Sequence, residues 1–307
     1  MTSPEEGDVT VGVDIGGTSI KAAVIDRDGH IVETRTAATP HTAQETDDAL
    51  VTVIEDLAGR HPVSAVGLAV AAFITADQQT VMFAPHLAWR DSAVPARLTK
   101  RLGVPVVMEH DVNAAALAEY RIGASAGVPV SILVALGTGI GAGLMVDGAL
   151  YRGGHGVAPE LGHVTVVVGG RPCPCGKSGC WERYCSGTAL AQTARELGMS
   201  GHPSGAEVGA AALAGDRLAL TAVEDLSSWL AVGLALVTDV FDPEVVVIGG
   251  GVSRIAHLFI PGAVSRMTTL VTGADHRPLP KVVPALLGEA ASMVGAALIA
   301  RDARPTG

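Results

Sequence analysis

The chain has 307 residues, 48% of them hydrophobic, which is enough for a full core and, by length, for about two domains of ordinary size. A formal net charge of −10 and an aromatic content of 3% argue against a nucleic-acid footprint, which needs a basic surface against phosphate and rings for base stacking. Apolar runs such as LAVGLALVTDVF, Leu230 to Phe241, are broken by polar residues short of the ~20 needed to cross a bilayer, so no membrane span is expected.

The first eight residues are polar, are expected to be frayed, and carry no secretory signal, which points to a cytoplasmic protein. From Val9 the chain alternates apolar and polar residues through a Gly-Gly turn at Gly16 and Gly17 and an Asp-Gly turn at Asp28 and Gly29, the pattern of a three-stranded antiparallel meander. A helix is predicted from Thr42, as N-cap, to Arg60. A strand follows from Ala65 to Ile74, then a loop at residues 84–89 and a helix from Asp91 to Leu102. The strand VPVVMEH then delivers His110 and Asp111 to the start of an Ala-rich helix. Residues 131–153 repeat the opening pattern, with a glycine-rich turn from Gly137 to Gly143 and an Asp-Gly turn at Asp147 and Gly148. Helices are expected near Gly205–Ala214 and Leu218–Val240, then a strand from Val245 to Gly251, the strand KVVPALLG and a last helix. Two meanders, each followed by alternating helices and strands, imply a duplicated α/β architecture with a ligand cleft between its halves.

Three sets of residues carry chemistry. The turn Asp14-Ile15-Gly16-Gly17-Thr18 exposes backbone N–H groups to a phosphate, and Gly137-Thr138-Gly139 offers the same surface in the second half. One such turn is ordinary hairpin chemistry; two at equivalent places, with bare backbone at Gly249, Gly250 and Gly251, indicate a nucleotide. Asp14, beside the phosphate turn, suits Mg2+ through water. Asp111 suits the base of a phosphoryl transfer, a role compatible with capping the helix it begins. The stretch ELGHVTVVVGGRPCPCGKSGCWE, residues 160–182, gathers His163, Cys173, Cys175 and Cys180, a ligand set that suits closed tetrahedral zinc. The alternative for these cysteines is a group of reduced thiols; a disulfide framework would not explain the histidine. Cys185 reads as a small buried hydrophobe.

The motifs DIGGT (14–18), HDVNAAALAE (110–119), LGTGIGAG (136–143), GVAPELGH (156–163) and CPCGKSGCWE (173–182) make the chain resemble the ROK family of bacterial sugar kinases, in particular ATP-dependent glucokinases, from Val9 to the last helix. The resemblance implies an actin-like, ribonuclease-H-type fold of two domains, drawn as 1–112 with 291–307 and as 113–290. It implies phosphorylation of a sugar hydroxyl, the 6-OH for a hexose, with ATP, Mg2+ and structural Zn2+, and a homodimer. Asp111 is then the catalytic base, and Glu160, His163 and Glu182 touch the sugar. The remaining expected sugar contacts depart from the family pattern: Ala72 stands where a glycine is usual, and His86 and His110 stand where asparagines are usual. Altered partners for sugar hydroxyls imply an altered choice of sugar. Some family members are transcription regulators carrying a helix-turn-helix; only about ten residues precede the first strand here, which favours an enzyme.

Overall fold

A computed structural model describes residues 9–303, so the fraying expected of residues 1–8 lies outside the described residues. The chain forms two compact units, one of Met1–Ile122, Leu150–Pro159 and Ala290–Gly307, the other of Gly123–Ala149 and Glu160–Glu289.

In the first unit, β1 (Val9–Ile15), β2 (Ser19–Ile25) and β3 (Ile31–Ala38) form the expected antiparallel meander. Helix α1 (Ala43–Ala58) starts where the Thr42 side chain accepts from the Glu45 N–H. Strand β4 (Val63–Val70) runs parallel to β1. The strand predicted to reach Ile74 breaks at this point, because Ala72 N–H turns back to the Val70 carbonyl. The chain then forms a separate small sheet of β5 (Phe73–Ile74), β6 (Val81–Phe83) and β7 (Arg90–Ser92). Helix α2 (Val94–Leu102) begins three residues later than predicted, after Asp91 at φ 44° and with proline in its first turn. Strand β8 (Val106–His110) then feeds α3 (Asp111–Ile122). The main sheet has the order β3-β2-β1-β4-β8, with β1, β4 and β8 parallel.

The C-terminal helix, Ala291–Asp302, packs on this sheet and on α3. Glycines make that approach possible. A β-carbon at Gly12 or Gly67 would collide with the Met293 or Ala296 carbonyl, and one at Gly295 with the Ala114 carbonyl. Helix α3 thus belongs with the first unit, beyond the boundary drawn at residue 112, because its small residues seat the C-terminal helix.

In the second unit, β9 (Val130–Leu136), β10 (Ile140–Val146) and β11 (Ala149–Tyr151) repeat the meander, and the unit boundary falls within β11. The turn between β10 and β11 places Asp147 and Gly148 at φ 48° and 83°, the left-handed pair of a tight hairpin. Three helices follow: α4 (Gly187–Glu196), which the sequence reading missed, α5 (Gly205–Leu213) and α6 (Arg217–Phe241). Strand β12 (Val245–Gly249), α7 (Ala256–Met267) and β13 (Lys281–Pro284) lead to the C-terminal helix, α8. The sheet order β11-β10-β9-β12-β13 matches the first sheet position for position. Contrary to the sequence expectation, α6 is long and apolar enough to span a bilayer, with 25 residues and a mean hydropathy of 1.5 over its most apolar window. More than half of that window is buried, and Leu226, Leu230 and Leu234 lie in the core of the second unit, so α6 reads as a core helix.

Candidate active site

In the first unit, three parallel strands end at one edge of the sheet and bring the predicted residues there. Asp14 lies next to the end of β1, Ala72 just beyond β4, and His110 and Asp111 at the end of β8, where His110 pairs with Val70. Ligands of open α/β sheets gather at such carboxyl ends. The Gly16–Thr18 turn is tied down by Gly16 N–H to the Ser19 carbonyl at 3.0 Å and by Thr39, whose hydroxyl donates to the Gly16 carbonyl at 2.6 Å. The exposed His86, on the loop after β6, packs over this turn, its Cβ 2.8 Å from where a β-carbon on Gly17 would stand. Ala72 is buried.

Asp14 is pushed up from 3.8 to about 6, first by burial and then by the charge of Asp111, with Lys21 opposing. Asp111 begins α3, and its Oδ1 accepts from the Val112 N–H at 2.8 Å and lies 3.3 Å from His110 Nδ1. Behind it, Glu109 is only 1% exposed. Arg152 clamps Glu109 Oε2 through Nε at 2.8 Å and a terminal nitrogen at 2.6 Å, while Oε1 accepts from Asn113 Nδ2 and the His110 N–H, both at 3.0 Å. Sequence reasoning missed this support: Arg152 is 43 residues from its partner, and nothing local in the sequence announces the pair.

In the second unit, the turn between β9 and β10 closes by Gly137 N–H to the Gly139 carbonyl at 3.0 Å, and the Gly137 carbonyl accepts from Gly187 N–H at 2.7 Å. The start of α4 is thereby fixed beside the turn. At the end of β12, Gly250 adopts φ 76°, and any side chain there would strike the Leu136 carbonyl, so glycine is required. Gly249 ends β12, and Gly251 opens a 3-10 turn. A cleft of about 850 Å³ opens here, with Gly137, Thr138, Gly187 and Gly251 along it. Its remaining walls combine aliphatic residues, including Ala191, Ala210, Val252 and Ile255, with charged ones, Arg195, Glu207 and Arg254, the last paired with Glu289. The contribution of α4 and α5 was not read from the sequence, although Ser186 and Ser204, the N-caps of these helices, were local signals.

The cysteine stretch brings its predicted ligand residues together. His163 sits on a 3-10 turn begun by Glu160, which is exposed and whose carbonyl accepts from the His163 N–H at 3.2 Å. One ligand atom each from His163, Cys173, Cys175 and Cys180 lie within 4.8 Å of one another. Cys175 and Cys180 Sγ are 3.6 Å apart, and Cys173 Sγ is 3.7 Å from His163 Nδ1. A tetrahedral ion with bonds of about 2.3 Å to sulfur separates its ligands by about 3.8 Å, so the donor set fits zinc in type and spacing. Glu182 adjoins the cage, accepting from Cys173 Sγ at 3.1 Å, and its Oε1 lies 3.8 Å from His163 Nδ1. Trp181 anchors the loop through Nε1 to the Trp229 carbonyl at 2.9 Å. Cys185 is fully buried, as expected, and burial raises its thiol pKa.

Two α/β units of the same strand order, with glycine turns at the ends of their first strands, define an actin-like fold of the ribonuclease-H type. The chain belongs to the ROK family, which it matches over residues 10–303. It is 37% identical to the glucokinase of Streptomyces coelicolor, over 97% of this chain and 99% of that protein. Among solved structures, a ROK family glucokinase from Streptomyces griseus in complex with glucose and AMPPNP superposes with a TM-score of 0.87 at 38% identity, covering 96% of this chain and 99% of that one. A ROK hexokinase from Thermus thermophilus gives a TM-score of 0.83 at 32% identity, covering 95% and 98%.

Proposed function

We propose that this chain is an ATP-dependent sugar kinase that phosphorylates a hexose hydroxyl, the 6-OH by analogy with glucokinases. The observation that carries this reading is the placement of Asp111 at the carboxyl end of β8, beside Asp14 and with its contacts confined to Oδ1 among the described residues. Full-length similarity to a glucokinase bound to glucose and AMPPNP supports it.

Asp111 accepts the proton of the attacking hydroxyl while the sugar oxygen bonds to the γ-phosphorus and ADP leaves. The Gly16–Thr18 turn offers N–H groups to phosphate, and Asp14 is the residue that would hold Mg2+ through water. That ion would neutralise phosphate charge. The aliphatic residues of the second unit's cleft suit a nucleobase, which favours ATP over polyphosphate as donor. His163, Cys173, Cys175 and Cys180 would hold structural zinc, which fixes Glu160, His163 and Glu182 for sugar contact. Because His163 presents Nδ1 to the cysteines, Nε2 remains for a hydroxyl. Ala72, His86 and His110 on the first unit are the remaining sugar contacts, and their departure from the family pattern supports an altered sugar preference. By the same family reading the protein is a cytoplasmic homodimer.

The test is a panel of hexoses, N-acyl hexosamines and polyols assayed for ADP with MgATP, and for sugar phosphate with polyphosphate as donor. Asp111→Asn is expected to abolish transfer while leaving sugar affinity within a few-fold. Near-normal turnover by that variant refutes the assignment, and a wide margin for glucose in kcat/KM removes the altered-specificity reading.

A further inference from the structure

Asp111 sits at a junction: it is the first residue of α3 and follows directly on His110, the last of β8. The sheet holds the strand side, where His110 pairs with Val70 of β4. The body of α3 is seated by α8, with Gly295 against the Ala114 carbonyl. Between these two anchors lies the first turn of α3, and Asp111 Oδ1 is tied to that turn by the Val112 N–H at 2.8 Å. The direction of the carboxylate thus follows the direction of the turn.

One side chain bridges the junction. Glu109 Oε1 accepts from the His110 N–H, on the strand, and from Asn113 Nδ2, in the helix, both at 3.0 Å, so a single oxygen grips the chain before and after Asp111. Its other oxygen is fixed by Arg152. Asn113 is only 3% exposed, and its Oδ1 has no partner among the described residues. A buried amide satisfied at one end is a poor stabiliser, because its stranded acceptor offsets what its donor gains. Alanine would also be the better helix former at this position. Asn113 therefore contributes little to folding; what its amide does supply is the bridge.

We infer that Asn113, through Glu109, is a positioning residue for the catalytic base: the bridge fixes the first turn of α3 and with it the Asp111 carboxylate. This rests on the sugar-kinase reading above. It leaves His110 its place on the sugar wall, because the sheet holds the strand that presents His110 whether or not the bridge is made. A carboxylate held in its reacting direction needs no ordering in each turnover.

The rival role for Asn113 is purely structural, and two readouts separate them. A structural residue moves the melting temperature and leaves the turnover of the folded enzyme alone. Loss of aim lowers kcat for every accepted sugar alike while sugar binding persists. The experiment compares the full chain with Asn113→Ala, Asn113→Asp and Arg152→Lys, each with MgATP and two accepted hexoses, alongside calorimetric sugar binding and thermal melts. For Asn113→Ala, kcat is expected to fall about tenfold with both sugars while sugar KM and Kd stay within about threefold. Its Tm is expected to stay within about 5 °C of the parent. Asn113→Asp removes the donor and sets a second carboxylate against Glu109, and its kcat is expected to fall further, by about 100-fold. Arg152→Lys keeps a positive charge on Glu109 but gives up the two-point clamp, and is expected to lose about threefold in kcat. An unchanged kcat in Asn113→Ala, a tenfold rise in its KM with kcat intact, or a fall in its Tm beyond that range overturns the inference. Should Asn113→Asp fail to fold, Arg152→Lys carries the comparison from the other side of Glu109. Absence of sugar-dependent ADP from the parent overturns the kinase reading together with this inference; an active parent whose variants turn over normally overturns this inference alone.

Discussion

Glu182 stands directly over Gly139: its Oε2 occupies the space that a β-carbon at position 139 would need. Its other oxygen accepts from Cys173 Sγ at 3.1 Å. One carboxylate therefore links the glycine turn of the second unit to the cysteine cage. Gly139→Ala should push Glu182 aside and lower kcat/KM about tenfold or more, chiefly through sugar KM, with a stability cost of about 1–3 kcal/mol. Steady-state kinetics beside a denaturant titration would check this; an unchanged sugar KM would detach Glu182 from the sugar.

Asp14 sets stability against function. Its pKa is raised from 3.8 to about 6 by burial and by Asp111, so the folded state holds the proton more tightly than the unfolded state does. The contribution is full below about 3.8 and is lost as pH rises through about 6, a difference of roughly 3 kcal/mol. Asp14→Asn, which never ionises, should match the parent at pH 4 and exceed it in stability at pH 7.5, while transfer is abolished. Chemical denaturation at several pH values tests the sign, and a variant less stable than the parent at pH 7.5 would contradict it.

Arg152, itself partly exposed, pairs with the buried Glu109, and removing the arginine leaves that carboxylate without its counter-charge. Arg152→Met is expected to cost about 3–5 kcal/mol by leaving the Glu109 carboxylate unpaired. Adding Glu109→Gln should recover part of that loss, which a double-mutant cycle by urea unfolding would register.

Metal removal should act on folding before chemistry. One zinc per chain is expected by elemental analysis, and its chelation or Cys175→Ala should lower Tm by about 10 °C or more. Full activity and an unchanged Tm in metal-free protein would remove the zinc assignment.

The parts of this molecule that repeat or pattern locally were legible in the sequence. The Gly16-Gly17 and Asp147-Gly148 turns announced both meanders, and the crowding of His163, Cys173, Cys175 and Cys180 announced the cage, because each signal lies within a few residues. What stayed hidden depends on distant partners. Arg152 meets Glu109 only after folding, and Gly12 becomes a contact only because α8 returns from the far end of the chain. Helix α4 has a serine cap but a short and Ala-rich apolar face, a weak periodic signal. The cleft went unread with it: α5 was legible as a helix, but its place opposite α4 depends on partners distant in the sequence.

Helix α8 bears on biosynthesis as well. The first unit's sheet and α3 are complete by residue 122, yet the helix that covers Gly12 and Gly67 begins at residue 291. At about 5–20 residues per second, a nascent chain waits roughly 10–30 s on the ribosome with that face of the sheet bare. The N-terminal half should therefore need a chaperone or its own C-terminus, and a message truncated before codon 291 should yield a protein that is cleared rather than one that folds.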